Sequence, residues 1–359
     1  GSMLEGGGQI LRVSIALSAI LGRPLHIHSI RAKRSKPGLR PQHLAGIELV
    51  SRLTGGKLKG GKVGSCEVWH TPGGRVCGGD FKADPGTAGS IALLLQAAVP
   101  ASCFAEEAVA LDLRGGTNAA QAPQLDYLTR VFEPVASRMG LGLELDIRRR
   151  GYFPRGGGQV LAAIRRVPRP LVPLVMLDPG QVAKITGRSF VAGPVPRRVA
   201  TQAAAAATAV LRAAVGANVP IEIEEVAESK VAAPVGAGSG IVLECTTTTG
   251  CILGGSALGA RGIPAQKVGE DAAAELLTSI NAGACVDEYL VDQLVIFMAL
   301  ADGKSRVRAG PLSLHTETAI ALVSEHAGAA FVVTPIPDGA GAVIVECDGI
   351  GLPAPPVVE

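Results

Sequence analysis

The segment Arg308-Ala-Gly310-Pro311-Leu-Ser-Leu-His315-Thr316-Glu317-Thr318 sets one histidine at the end of an apolar run, just before a helical pattern that starts at Ala319. His315 therefore falls at the junction of a strand and a helix N-terminus. Unpaired backbone N–H groups and the positive end of the helix dipole make such a junction a natural seat for an anion. The plain alternative is an ordinary polar residue in a turn. A second candidate anion site opens the chain, where Glu5-Gly6-Gly7-Gly8-Gln9-Ile10-Leu11-Arg12 leads into an amphipathic helix. Three glycines at a helix entry let backbone N–H groups come close to a phosphate. No Gly-Lys-Ser/Thr follows, so this is not a Walker loop.

Other residues add to this chemistry. Arg23, Arg31, Lys33, Arg34, Lys36 and Arg40 lie within residues 23–40 with no acidic residue among them, on a loop stiffened by Pro and Gly that runs through Gln42-His43 into a helix at Leu44. Such a loop is either an anion clamp or a solvated surface. Arg148, Arg149, Arg150 and Arg155 form a second basic cluster. Near the other end, helical spacing over 286–300 puts Glu288, Asp292 and Val295 on one face, with Tyr289 and Gln293 beside it. The helix dipole accounts for Asp287 and Glu288 at a first turn but not for Asp292 or Gln293 deeper in the helix. His26 and His28 share a strand face. With no third ligand nearby they read as exposed strand residues rather than a metal pair.

Composition narrows the setting. A chain of 359 residues can bury a large core and more than one domain. It is 47% hydrophobic but 3% aromatic, with 47 glycines, which favours small-residue packing and many tight turns over disorder. A net charge of +3 gives no global steer toward nucleic acid, so the local basic clusters carry that signal. The seven cysteines show neither a Cys-x-x-Cys nor a zinc spacing, and read as reduced thiols of an intracellular protein. No signal peptide and no membrane span are read.

The elements that must position these residues follow from periodicity. Helices are expected over 13–21, 44–53, 91–99 (carrying Gln96), 125–139 (entered through Ala122-Pro123-Gln124), 198–215, 268–280 and 286–300. Strands are expected over 24–30, 63–68, 76–81, 109–113, 141–147, 159–164, 182–191, 219–226, 305–308 and 342–346, with a hairpin of 241–245 and 251–255 around Thr246–Thr249. The motif Gly-Gly-Gly-Gln followed by Ile/Val-Leu occurs at 6–11 and again at 156–161, which points to a repeated supersecondary unit. Character changes after the proline-bearing connector at 167–173 and changes back near 272. The order β-α-β-β between them suggests a small inserted domain at 177–272, within a large domain of 1–176 and 273–359. Gly236-Ala-Gly238-Ser-Gly240 precedes a strand rather than a helix and so fails the dinucleotide-binding test.

The segment Arg150-Gly-Tyr-Phe-Pro154-Arg-Gly156-Gly157-Gly158-Gln-Val160 resembles the signature of the RNA 3′-terminal phosphate cyclase family. Glu5-Gly-Gly-Gly-Gln-Ile-Leu-Arg12, Lys36-Pro-Gly-Leu39 with Gln42-His43, and Glu288-Tyr-Leu-Val-Asp-Gln-Leu294 agree with it, and the resemblance runs from residue 4 to about 351. It implies an α/β (α+β) fold: a large domain of three repeated units, each a four-stranded sheet with two helices, plus a smaller inserted α/β domain. It also implies an ATP-dependent ligase that converts an RNA 3′-terminal phosphate to a 2′,3′-cyclic phosphate through an adenylyl-histidine. His315 is the catalytic histidine by this resemblance, and its presence separates the catalytic branch from the cyclase-like ribosome-biogenesis branch. Glu5 would lie near a divalent cation, magnesium or manganese. Gly6, Gly7, Gly8, Gln9, Arg12, Arg34 and Gln42 would surround phosphates. Pro123 and Tyr289 would sandwich adenine, Asp292 and Gln293 would fix the nucleoside, and Gln96 would line the same pocket. The loop places Arg40 before Pro41 rather than directly before Gln42, which sets its role apart from the family pattern. Arg31, Lys36, Arg150 and Arg155 are further candidates for the RNA backbone.

Two other readings stay beside it. A non-catalytic RNA-processing factor would share the fold without needing His315. An enolpyruvyl transferase would share the sheet-and-helix repeats by analogy alone. Expected partners are ATP and RNA with a 3′-terminal phosphate, and not a membrane. Monomer and homodimer both stay open. The expected compartment is the nucleus for a eukaryotic source and the cytoplasm for a bacterial one.

Overall fold

Short alternating strands separated by glycine turns cannot build one wide sheet, and the chain instead makes four small ones, each packed against helices. The structure is a computed structural model that describes residue 4 and residues 6–228, 233–337 and 340–355. α1 (Gly8–Leu21) and α2 (Pro41–Leu53) accompany the first sheet, formed by β1 (Leu25–Ile27), β2 (Lys57–Lys59) and β3 (Val68–Thr71) in the antiparallel order β1-β3-β2. The second sheet has the order β4-β5-β7-β6, from β4 (Gly79–Ala83), β5 (Val109–Gly115), β6 (Gly142–Arg149) and β7 (Gly158–Arg165). Its helices are α3 (Ile91–Cys103) and a segment made of α4 (Leu125–Tyr127), a π-helical turn (Leu128–Phe132) and α5 (Glu133–Ser137).

β8 (Val175–Met176) follows, and then a sheet of different character. There β9 (Val182–Ala192), β10 (Ile221–Ala227), β11 (Gly238–Thr247) and β12 (Ile252–Leu258) take the order β10-β9-β11-β12, with α6 (Arg198–Val215) and α7 (Ala265–Asn281) against them. The chain then returns. α8 (Glu288–Leu300), β13 (Lys304–Ala309), α9 (Leu314–Ala327), β14 (Ala330–Pro335) and β15 (Val343–Asp348) complete a sheet β14-β15-β13-β8. Three sheets with two helical segments each, and a fourth inserted between β8 and α8, give the expected α/β architecture. The first sheet has three strands rather than four. After β3 the chain runs through Pro72-Gly73-Gly74 and does not pair again before β4.

The core follows the same division. One continuous apolar cluster takes in α1, α3 and α8, among them Leu11, Leu94 and Leu294, while Ile185, Leu211, Leu243 and Leu276 form a separate cluster in the inserted sheet. Leu11, Ile15 and Leu17 are all buried on α1. Each such side chain stabilises its packing by about 1.5–3 kcal/mol, which seats α1 against α3 and α9 and fixes the glycine loop ahead of it. α7 runs unbroken through residue 272 and packs on the inserted sheet up to Leu277 and Ile280. We therefore take the inserted unit to end after this helix rather than at 272. The two copies of the Gly-Gly-Gly-Gln motif differ as expected, the first opening α1 and the second opening β7. All seven cysteines are free, with Cys66 and Cys77 exposed and the rest buried. Among the described residues no helix is long and apolar enough to cross a membrane.

Candidate active site

His315 is the second residue of α9. Ser313 caps that helix by accepting the Thr316 N–H at 3.3 Å, and His315 is exposed on the first turn. Packing of α9 against α1 and α8 carries it to a cleft of about 300 Å³. Gln9 and Arg12 of α1, Gln96 of α3, Pro123, and Tyr289 and Asp292 of α8 line the same cleft. Residues from three helical layers, far apart in the chain, thus face one space. The insert supplies a further wall through Ser256, Ala257 and Leu258 of β12 and Glu275 of α7.

Local chemistry explains each placement. Pro100 inside α3 has no N–H, so the carbonyl of Gln96 one turn earlier loses its helical donor at the cleft edge. Asp287 is the N-cap of α8 and is buried. Its Oδ1 accepts the N–H groups of Tyr289 (3.0 Å) and Leu290 (2.9 Å) and the Tyr127 hydroxyl (2.6 Å), and its Oδ2 accepts the Gly254 N–H of β12 (2.8 Å). One carboxylate thus ties together α8, the helix after Pro123 and the insert. Gly254 is required there, because a Cβ would sit 2.4 Å from the Tyr127 ring. Tyr127 meets Tyr289 edge-on at 6.2 Å, which holds the Tyr289 ring upright in the cleft.

The phosphate end is built around α1. Gly7, which carries no side chain, is the N-cap of this helix, and Gly6 has φ +62°. Arg12 Nη2 donates to Gln9 Oε1 at 2.7 Å. His43 accepts the Arg40 N–H at Nδ1 (3.2 Å), which assigns its own proton to Nε2. A Cβ on Gly8 would lie 2.8 Å from His43 Nε2 and 2.9 Å from Arg12 Nη1. Backbone, imidazole and guanidinium donors therefore converge on the Gly8 side of the helix entry. Burial, and then the positive charges of Arg12, Arg31 and Arg40, push the His43 pKa down to about 4, so it is a neutral donor at physiological pH. Asp292 goes the other way. Burial raises its carboxyl to about 7, with Arg12 opposing and Asp287 and Glu288 adding to the rise.

Other expected site residues lie elsewhere. Gln293 is buried and donates to the Tyr289 carbonyl at 2.6 Å; it lines a small cavity of about 40 Å³ beneath the cleft. Gln42 accepts the Ser90 N–H at 2.7 Å and so joins the start of α2 to the start of α3. Arg34 lies in the exposed 31–37 loop, outside the cleft lining. Gly6 and Gly7 precede α1, also outside the lining. Glu5 lies outside the described residues. Among those described, no group of three or more His, Cys, Asp or Glu is placed to hold a metal ion. His26 stacks on Trp69 at 4.3 Å, which gives it a packing role. Arg150 is not a surface residue at all. It makes a bidentate pair with Asp126 at 2.6 and 2.7 Å, with Glu228 at 3.4 Å and Arg188 completing the cluster. Arg155 stays exposed.

The sequence reading did not single out Glu275 or His43. The pairing of His43 with the glycine loop spans 35 positions and leaves no periodic trace, though its adjacency to Gln42 in the motif was visible.

Comparison with known proteins gives the family. Residues 3–333 match the family described as RNA 3′-terminal phosphate cyclase. A protein of Dictyostelium discoideum named "Probable RNA 3′-terminal phosphate cyclase" is 41% identical over 98% of this chain and 82% of its own length. RNA 3′-terminal phosphate cyclases of Pyrobaculum aerophilum (38% identical, 98% of this chain and 97% of that one) and Pyrococcus furiosus (41%, 93% and 94%) are similar over nearly their whole length. The chain belongs to the RNA 3′-terminal phosphate cyclase family.

Proposed function

We propose that this RNA 3′-terminal phosphate cyclase consumes ATP and works through an adenylate carried on His315. The observation that carries the reading is that His315 shares one cleft with a tyrosine, a proline and a carboxylate suited to a nucleoside, and with Arg12 on the first turns of the glycine-led helix α1, suited to phosphates. Tyr289, 36% exposed, and Pro123 offer flat apolar faces to a base. Gln96 and Asp292 offer directional polar groups. The Arg12 guanidinium and the neutral His43 N–H can hold a triphosphate without competing as nucleophiles.

In the first step a ring nitrogen of His315 attacks the α-phosphorus. The bond to the β-phosphate oxygen breaks and pyrophosphate leaves. In the second, an oxygen of the RNA 3′-phosphate attacks that phosphorus, the P–N bond breaks, and AMP passes to the RNA end. In the third, the neighbouring ribose 2′-OH attacks the activated RNA phosphorus and gives up its proton; AMP leaves and the 2′,3′-cyclic phosphate remains. Charge develops on phosphoryl oxygens in each displacement, where fixed cationic and backbone donors stabilise it best. A divalent cation would add to this, with Glu5 as its expected ligand. Arg31, Lys36, Arg40 and the exposed Arg155 are the proposed contacts to the RNA backbone. We assign the nucleus as the site of action in a eukaryotic cell and the cytoplasm in a bacterial one.

The test is incubation with α-labelled ATP and a divalent cation. Wild type should acquire an acid-labile covalent label that chases into RNA ending in a 3′-phosphate, and His315→Ala should acquire none. An unlabelled wild type, with RNA binding intact in His315→Ala, would instead favour a non-catalytic RNA-processing role.

A further inference from the structure

Glu275 is the one carboxylate that the insert contributes to the cleft. Its Oε1 accepts the backbone N–H of Ser256 at 2.9 Å, which fixes the carboxyl plane against β12. That leaves Oε2 as the atom turned toward the cleft, 3.5 Å from the Tyr289 hydroxyl. The groups facing Glu275 are Tyr127, and Asp287, Glu288 and Tyr289 at the start of α8, while β12 presents the Ser256 N–H. No cation pairs with it among the described residues. A half-buried carboxylate with no counter-ion, held rigidly by one oxygen beside an exposed aromatic face, is costly for stability alone.

We propose that Glu275 Oε2 reads the edge of the nucleobase stacked on Tyr289 and selects a base that presents an exocyclic amine there, as adenine does, over one that presents a carbonyl oxygen. This rests on the proposed nucleotide site, and it adds the reason why that site is specific. An ionised oxygen accepts an N–H but repels a carbonyl oxygen, and a polar mismatch in a confined site is penalised more than a missing contact. Burial first, with Asp287 and Glu288 adding and the Ser256 and Tyr289 hydrogen bonds opposing, brings the Glu275 carboxyl up to about 7, so at pH 8 it is mostly ionised.

The geometry makes Glu275→Gln unusually informative. Only the amide oxygen can accept the Ser256 N–H, so Nε2 must face the cleft and present a donor where wild type presents an acceptor. The experiment is equilibrium binding of ATP and of inosine triphosphate, which has a carbonyl oxygen in place of the adenine amine, measured by calorimetry at pH 8. It uses wild type, Glu275→Gln and Glu275→Ala, each checked for an unchanged melting profile. Wild type should prefer ATP by about tenfold or more. Glu275→Gln should lose or reverse that ratio, and Glu275→Ala should bind the two alike. An unchanged preference for ATP in both variants overturns the assignment to Glu275 and leaves the nucleotide site standing. Wild type that binds neither nucleotide overturns the nucleotide site itself and the base reading with it.

Discussion

Arg150 opens the segment that most resembles the family signature, and it is tempting to give it to the RNA. The structure gives it to the fold. Its side chain is 12% exposed and that of Asp126 is 6% exposed; the pair is bidentate, and Arg188–Glu228 at 2.7 Å lies against it. The cluster joins α4 and the residue after β6 to β9 and the residue after β10, so it fastens the second sheet to the insert. Replacing Arg150 with methionine keeps most of the volume and removes the bidentate partner of a buried carboxylate that Arg188 at 3.7 Å and the Asn118 amide at 3.4 Å only partly compensate, which costs up to about 3–5 kcal/mol. At about 2.1 cal/mol/K of unfolding entropy per residue over 359 residues, that lowers the melting temperature by about 4–7 °C. Asp126→Asn should do much the same. The double variant should cost less than the two single losses together, because each single change already removes the pairing. Burial alone would raise the Asp126 carboxyl, but the Arg150 hydrogen bonds and charge, helped by the Arg188 charge and the Asn118 amide, outweigh it and hold the pKa below its ordinary value. The stability this pair contributes is therefore complete above the ordinary aspartate range and is lost as the pH falls through the depressed value. Calorimetric melting of the three variants, with RNA affinity measured in parallel, decides the matter. A melting temperature within about 1 °C of wild type, with RNA binding tenfold weaker, would refute the structural role.

Asp292 should show the opposite pH behaviour. Its carboxyl is raised to about 7, so its contribution favours folding below the ordinary aspartate value and fades as the pH rises from about 4 to about 7. Asp292→Asn should reduce the fall in melting temperature over that window, Glu275 keeping a share of it, and equal slopes in variant and wild type would count against the assignment. Gly8→Ala pushes a methyl to within 2.8 Å of the His43 ring and 2.9 Å of the Arg12 guanidinium, which must shift to make room. Stability should hold, since alanine is the better helix residue, while nucleotide affinity drops about tenfold as two anion donors are displaced; retained affinity would place the phosphates elsewhere.

What was legible in the sequence depended on whether the signal was local. Helix α6 was read to the residue from its alanine pattern and flanking breaks, and the β11–β12 hairpin from two apolar runs around threonines. β14 was not read, because nearly every residue in it is exposed and no alternation survives. β2 and β8 are too short to carry a period. Helical spacing set Tyr289 beside the Asp292 face of α8, as the cleft requires, but it set Gln293 beside that face too. The helix turns that amide beneath the cleft, and burial separates neighbours that periodicity alone leaves together. Arg150 shows the same failure from the other side: a run of arginines reads as a solvated face until a carboxylate 24 residues away is found inside it.

Asp287 bears most directly on how the cleft is held. Read as a charge near a helix start, it is one of the commonest features a sequence can show. Folded, its carboxylate accepts four hydrogen bonds from three elements: two from the first turn of α8, one from the Tyr127 hydroxyl and one from the Gly254 N–H of the insert. The Tyr289 ring and the wall carrying Glu275 therefore cannot move apart without leaving a buried carboxylate unsatisfied, a cost of about 1–3 kcal/mol for each lost partner. The insert is thus more than an appendage on a catalytic domain. It forms one wall of the cleft, and the Tyr289 segment is tied to that wall by Asp287, a residue that does not itself line the cleft.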